Sequence, residues 1–558
     1  MTFDKKNNSI KIIMLGGLNE VGKNLAVLEC GDDIIMIDCG LGFPDEEMPG
    51  VDLVIPDTSY LEQNADKIRG LFLTHGHEDH IGGIPYVLRK MNFPIYGTEL
   101  TLGILENKLA EHELAVEPEL HSVKAGDVIY AGCFSVEFIR VNHSIADACA
   151  LAVRYPGGTI VHTGDFKLDT SPIEGEMMDL TRFGEIGHEG VTLLMCESTN
   201  AERPGYTPSE KKVGQSLDNI FTLNQDNRVV IATFSSNVHR VQQIINVSYA
   251  HGRKVAITGR SMLNIVSAAS RLGYMKVPDG LLIDLGDISR YNPEQVTIIT
   301  TGTQGEPMSS LSRMAFLTHD KVKLGPSDLL VISASAIPGN ERMVSKIVNE
   351  LLKNGVSVFR DDSVAVHVSG HACQEEIKLL IGLTRPKYFM PMHGEYKQMY
   401  ANKLLAEYMG VPASNIFITD IGKVLEISSD RAEITGEVTS GKVLVDGYGI
   451  GDIGSVVLRD RKQLSLDGIL AIVTTVDTTE QYIVSGPDVI SRGFVYVKES
   501  EGLVEEIRSL AKDTIENCLY AGIVDYNEIK AQTKTAIHKF IFSQTGRKPM
   551  ILPIIMDV

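Results

Sequence analysis

No run in the 558-residue chain approaches the ~18 consecutive apolar residues of a membrane-spanning helix. The opening MTFDKKNNSIKIIMLGG lacks the apolar core of a secretion signal. A cytoplasmic protein without a membrane partner is therefore expected. Cysteine is scarce. Cys30, Cys39, Cys133, Cys149, Cys196, Cys373 and Cys518 are scattered, odd in number and never spaced C-x-x-C. That argues against a disulfide framework and a cysteine-built zinc site, and suits a reducing compartment. Basic residues are also few, 52 against 72 acidic ones, for a net charge of −20. Such a chain has no broad basic face for duplex nucleic acid. A polyanionic substrate would need a local basic channel or bound cations. Internal repeats and low-complexity tracts are missing too.

What is there begins with short apolar or alternating runs closed by Gly, Asp, Asn or Pro, from IKIIMLGG through NLAVLEC, DIIMIDCG and GLFLTHG to TIVHTGD. Between residues 228 and 360 the pattern changes. RVVIATFSS, KVAITGR, VTIITTGTQ and LLVISASA read as buried strands alternating with helical stretches such as VHRVQQIINVSYAHG, which predicts a doubly wound parallel sheet. From about residue 455, SVVLRD, ILAIVTTVD and QYIVSG read as strands. Two amphipathic helices and the strand PMILPIIMDV follow, giving an α+β module of roughly 100 residues.

The densest chemistry is LTHGHEDHIGG, residues 73–83. His75, His77, Asp79 and His80 are too many ionisable groups for a core, where each unpartnered one is costly. On a loop after a strand they can converge on cations. A catalytic zinc keeps one position open, so one ion cannot use them all. Two ions ~3.5–4 Å apart can, and that geometry suits phosphoryl and acyl hydrolysis. Further donors would come from strand ends, with His143 in RVNHSIAD, Asp165 in VHTGDFKLD and His393 in FMPMHGEY as the candidates. His112, His121, His188, His251, His319 and His538 read as ordinary surface or core histidines. GLNEVGKN falls short of a phosphate-binding loop, because Asn24 replaces the hydroxyl residue and a strand follows; it reads as a glycine-rich turn.

His75-x-His77-x-Asp79-His80, then His143 and Asp165, resembles the motif series of the metallo-β-lactamase superfamily. The resemblance implies one metal on His75, His77 and His143, a second on Asp79 and His80, and Asp165 bridging. Asp38 matches the aspartate that orients the site. CESTN (Glu197), SGHA (His371) and PMHGE (His393) resemble the three motifs of the β-CASP subgroup. ATFSSNVHR, TGTQGEP, HVSGHACQEE, GGLNEVGKN and RKPMILPIIMDV resemble the ribonuclease J family nearly end to end. Glu197 stands where many members carry Asp, and Cys373 where Gly is frequent. The implied architecture is α/β: an αββα lactamase sandwich over 1–207 and 367–447, an inserted parallel β-CASP domain over 208–366, a linker over 448–462 and a C-terminal α+β domain over 463–558.

The implied activity is 5′-to-3′ exonuclease and endonuclease hydrolysis of RNA with two Zn²⁺ per chain, Mn²⁺ being the alternative, in mRNA decay and RNA maturation. Asp79 would accept a proton and His371 would act as general acid beside Glu197, leaving 5′-phosphate products. Ser236, past a strand end, with His239, His367, Ser369, Gly370 and His371 would form a pocket for the 5′-monophosphate of single-stranded RNA. Ser369 and His367 flank Val368, so an extended strand would put both on one face. A homo-oligomer (dimer or tetramer) or a hetero-oligomer with a paralogue is expected. Two rival functions stand beside this one: a small-molecule hydrolase on the same scaffold, and a weakly active subunit that stabilises an active paralogue.

Overall fold

The computed structural model describes residues 8–45, 47–173, 175–303, 308–335, 340–359, 364–428, 431–494 and 501–558. The Gln304–Pro307 part of the TGTQGEP motif lies outside them. The chain divides into two compact units, Met1–Gly42 with Ile55–Lys442 and Phe43–Val54 with Val443–Val558.

In the larger unit the first strand, Ile10–Gly16, shows why its sequence is apolar throughout. Ile10, Ile12 and Met14 point into one core cluster, Ile13 and Leu15 into another. Side chains alternate faces along a strand, so a strand buried on both sides needs a continuous apolar run. This strand sits inside an eight-stranded sheet, which faces a six-stranded sheet ordered Tyr388–Met392, Leu193–Glu197, Gly158–His162, Cys149–Tyr155, Phe134–Arg140, Val128–Ala131. Ile12, Leu28, Ile35 and Phe72 from the first sheet meet Phe134, Phe138, Leu151 and Met390 from the second. Helix Glu99–Leu109 covers the outer face of the first sheet. Helices Leu180–Glu189, Gln374–Thr384 and Tyr396–Tyr408 cover the second. The result is the expected αββα sandwich.

The same unit carries a parallel six-stranded sheet ordered Leu282–Ile283, Lys254–Thr258, Val296–Thr300, Arg228–Ala232, Asp328–Ile332, Ser357–Val358. Helices Lys211–Leu223, Val238–Ala250 and Arg260–Arg271 pack on one face, Ser310–Ala315 and Glu341–Lys353 on the other. This is the doubly wound pattern read from the sequence. The smaller unit packs helices Glu501–Tyr520 and Tyr526–Thr545 on a sheet ordered Tyr482–Arg492, Ile469–Asp477, Met550–Asp557.

One element differs from expectation. SVVLRD is not a strand but opens the helix Ser455–Asp467, which has no buried residue and runs through the expected border at 462. A short Val-Val-Leu run cannot by itself distinguish strand from helix. The helix formers Arg459, Arg461, Lys462, Gln463 and Leu464 decide it.

The sandwich positions the site through strand ends. Asp33–Ile37 pairs in parallel with Ile68–Phe72, and Leu193–Glu197 in parallel with Gly158–His162 and Tyr388–Met392. Their carboxyl ends deliver Asp38, the 73–83 segment, Asp165, Glu197 and His393. The 73–83 segment is clamped by backbone. Cys39 N donates to His80 O at 2.7 Å, Leu41 N to Glu78 O at 3.0 Å, and Gly83 N to Cys39 O at 2.9 Å. This approach leaves no room for side chains. A Cβ on Gly40 would sit 1.6 Å from Asp79 O, and one on Gly83 would sit 2.6 Å from Gly40 O. Gly40→Ala must push the segment away, and overpacking of this kind costs about 1–3 kcal/mol or more. A lower calorimetric melting midpoint, with less bound metal, is expected. An unchanged midpoint would show that the clamp is loose.

Candidate metal centre

Glu78–Ile81 forms a single helical turn rather than open loop, because His77 O accepts from both His80 N and Ile81 N. Glu78 leaves the cluster and pairs with Lys108 at 2.7 Å. The other four residues of the motif turn inward and meet donors from the strand ends.

Two donor sets result. In the first, His77 Nδ1 lies 3.1 Å from His75 Nε2 and 3.1 Å from His143 Nε2. Asp165 Oδ2 lies 3.7 Å from His75 Nε2 and 3.8 Å from His143 Nε2. In the second, His80 Nε2 is 3.3 Å from Asp165 Oδ2 and 3.5 Å from Asp79 Oδ2, and His393 Nε2 is 3.5 Å and 3.2 Å from the same atoms. A tetrahedron with metal–nitrogen bonds of about 2.0–2.1 Å has edges of about 3.3 Å. The donor separations match that edge, so both sets fit a divalent cation of zinc size. Asp165 belongs to both.

The second nitrogen of each of four imidazoles is already engaged, which fixes the tautomer and ring orientation. His80 Nδ1 donates to Asp38 Oδ2 at 2.7 Å. Thr74 donates to both Asp38 oxygens, from N at 2.8 Å and from Oγ1 at 2.7 Å, while its hydroxyl accepts from His75 Nδ1 at 3.0 Å. His143 Nδ1 donates to Gly370 O at 2.8 Å, and His393 Nδ1 to Thr199 Oγ1 at 3.0 Å. Asp38 thus orients two donor histidines, one directly and one through Thr74. It holds this place in the left-handed backbone region, at φ 58°.

The electrostatics differ between the sets. Burial and neighbouring imidazoles push His75 and His143 well below the ordinary histidine range, and burial takes His77 down to about 4. These three are neutral, with lone pairs free. At His80 and His393 burial opposes charge, yet the Asp165 and Asp79 carboxylates outweigh it and raise both. The second set therefore attracts positive charge more strongly.

Beside the shared Asp165 stands a third pair. His371 Nδ1 lies 3.1 Å from Glu197 Oε2 and 3.8 Å from Asp165 Oδ2. Burial works against its charge, but Glu197 and Asp165 raise the imidazole to about 9. Glu197 is fully buried and fixed by the Phe166, Thr199 and Ala372 N–H groups.

The expected phosphate-pocket residues do not all converge. The 364–370 segment forms no strand. Ser369 Oγ accepts from Asn200 Nδ2 at 2.8 Å and His371 N at 3.2 Å, whereas His367 Nδ1 accepts from Arg240 at 3.4 Å. Gly370 turns its carbonyl to His143. His239 lines a separate cavity with Glu210 and Lys167. The hydroxyl of Ser236 makes no hydrogen bond among the described residues, while its carbonyl accepts from Val238 N. Cys373 is a buried helix cap, consistent with a small packed residue. Thr74, Thr199, Asn200 and Asn24, whose amide donates to Asp79 O at 3.0 Å, escaped the sequence reading. Only the position of Thr74 beside His75 could have flagged any of them.

Family profiles match four stretches of the chain: "Metallo-beta-lactamase superfamily" at 19–229, "Ribonuclease J, beta-CASP domain" at 226–351, "Zn-dependent metallo-hydrolase RNA specificity domain" at 364–416 and "Ribonuclease J C-terminal domain" at 456–558. Ribonuclease J2 of Bacillus subtilis is 42% identical over 99% of this chain and 100% of its own length. The chain belongs to the ribonuclease J family. Ribonuclease J of Thermus thermophilus is 42% identical over 98% of this chain and 95% of its own. Ribonuclease J 1 of Streptococcus pyogenes is 41% identical over 99% and 98%. A crystal structure of a protein of unknown function from Enterococcus faecalis, 18% identical with a TM-score of 0.53, covers 75% of this chain and all of that one, and shows the shared fold alone.

As a member of this family the protein is a metal-dependent ribonuclease, and its match to an RNA specificity domain at 364–416 supports RNA binding. No helix among the described residues is long and apolar enough to cross a membrane. The orienting hydroxyl at position 74 gives a specific expectation. Thr74→Val keeps the shape but loses the link from Asp38 to His75, and second-layer losses of this kind cost ~10–100-fold in metal affinity. Chelator competition followed by elemental analysis reads this directly. Wild-type retention of metal would show that Thr74 only fills space.

Proposed function

We propose that this chain hydrolyses phosphodiester bonds of single-stranded RNA both internally and in the 5′-to-3′ direction from a 5′-monophosphate end. Two cations are held per chain, Zn²⁺ with Mn²⁺ as the alternative. The observation that carries this reading is the pair of donor sets joined at Asp165, with the His371–Glu197 pair beside them. His75, His77, His143 and Asp165 would hold one ion; Asp79, His80, His393 and Asp165 would hold the other. Bound divalent cations neutralise phosphate charge and acidify water.

The chain's own groups do the rest. Asp79 turns Oδ2 to the donor set and is part-exposed, so its other oxygen takes the proton of the attacking water. Glu197 holds His371 by Nδ1, leaving Nε2 to protonate the departing 3′ oxygen. Glu197 is therefore a positioning residue. The products carry 5′-phosphate and 3′-hydroxyl ends. His367, His239 and Ser369 remain our candidates for the 5′ end, with Ser236 and Gly370 as backbone walls.

The domain borders at 207, 366 and 447 are also our reading. The run of parallel strands between Arg228 and Val358 supports the insert, and an inserted domain argues against a small-molecule hydrolase. The complete donor sets favour a full catalyst over a weakly active partner subunit. No disulfide joins the seven cysteines, which suits the cytoplasm.

For assembly, the support is an open sheet face in the smaller unit. Leu552, Ile554 and Met556 alternate outward on one edge strand, and Tyr482, Val484 and Ile490 on the other edge strand are likewise large and exposed. Such a patch marks an interface, and we assign it to a second copy or a paralogue. Ile554→Lys should shift the protein toward monomer in light scattering. An unchanged mass would remove this face from the interface.

His371→Ala should keep both metals and lose ~10²–10⁴-fold in rate, the usual worth of a general acid. The check pairs elemental analysis with resolved products from 5′-monophosphorylated RNA. Loss of metal would make His371 a ligand instead, and full activity would sink the acid assignment.

A further inference from the structure

The glycine-rich turn at 17–24 touches the two donor sets unequally. Gly17 O accepts from His393 N at 2.8 Å, and Leu18 and Glu20 form β-bridges to Gly394. At its other end, Asn24 is buried against the 78–81 turn. Asn24 N and Asn24 Nδ2 both donate to Asp79 O at 3.0 Å, and Nδ2 lies 3.2 Å from His80 Nε2. The segment thus reaches Asp79, His80 and His393, the three donors that belong to the second set alone. Among the described residues it makes no hydrogen bond to His75, His77 or His143.

The Asn24 amide is itself held. A Cβ on Gly17 would sit 2.3 Å from Asn24 Oδ1, so only glycine leaves room for that oxygen. Gly17 also takes φ 78°, the left-handed backbone that favours glycine. A carbonyl only accepts, so the amide must turn its nitrogen, not its oxygen, to Asp79 O. His80 Nδ1 donates to Asp38, which leaves the lone pair on Nε2. With one amide N–H on Asp79 O, the other is left for that lone pair, and it keeps the ring aimed into the centre before a cation takes over.

We propose that Asn24 is a positioning residue for the second cation alone, acting through the Asp79 main chain and the His80 ring. The inference rests on the two-cation reading above and makes the two sites separable. In the first, His75 and His143 are oriented by Thr74 and the Gly370 carbonyl, neither of which belongs to the turn. The second leans in addition on Asn24, and Gly17 ties the same turn to His393. The asparagine that stands where a phosphate-binding loop has its hydroxyl residue is then the working residue of this motif.

The test loads the metal-free, full-length protein with Mn²⁺ by equilibrium dialysis and counts ions per chain by elemental analysis. Electron paramagnetic resonance is the second readout, because two ions ~3.5–4 Å apart couple magnetically and a lone ion does not. The wild type should bind two coupled ions. Asn24→Leu keeps the branched shape without the donors. It should hold the first ion unchanged, bind the second ~10–100-fold more weakly, the usual cost of losing an orienting contact around a metal, and give an uncoupled spectrum. The retained first ion reports that the variant is folded, and Asn24→Ala gives the same comparison if the leucine variant does not fold. Two coupled ions of wild-type affinity in the variants would overturn the inference and leave the amide as filler. Loss of both ions from a folded variant would overturn it as well, since the turn would then serve the whole centre. A wild type that binds a single ion would overturn the two-cation reading and this inference together.

Discussion

One carboxylate oxygen, Asp165 Oδ2, lies within 3.8 Å of nitrogens on His75, His80, His143, His371 and His393. Burying that many ionisable groups at one point is tolerable only if positive charge sits among them. The rest of the larger unit can be understood as a means of holding this convergence. Two sheets close on each other, and parallel strand ends aim their side chains at one spot. Backbone contacts at Gly40 and Gly83 leave the metal segment a single seat. Asp38, Thr74, Thr199 and the Gly370 carbonyl then take the outer nitrogens, so the inner lone pairs have only one direction to point.

The acidic balance of the chain becomes intelligible in the same terms. A net charge of −20 gives the chain no overall attraction for RNA. The donor sets that meet at Asp165 are where divalent cations would supply positive charge.

Much of this was legible in the sequence, for identifiable reasons. The His75–His80 cluster stands out because its density has no packing explanation. His143, Asp165 and His393 were reachable because each follows an apolar run beside a turn residue. The parallel insert announced itself through strands apolar on both faces. What failed were inferences that needed three-dimensional neighbours. Ser369 and His367 were expected on one strand face, but 364–370 forms no strand, and the two take different partners far along the chain, Asn200 and Arg240. Thr74 and Asn24 carry no signal alone, since their roles exist only once Asp38 and Asp79 arrive beside them. SVVLRD was misread because helix and strand share its opening residues.

The donors of the second set are spread from Asp79 to His393, and the inserted sheet is threaded between them. A ribosome builds the chain from its amino end. The first donor set can form once Asp165 has emerged, but the second lacks His393 until more than two hundred further residues have been made. A partly synthesised copy, still tethered to its own messenger RNA, therefore carries an incomplete centre. The order of residues along the chain thus makes completion of the second donor set a late event in the synthesis of the larger unit.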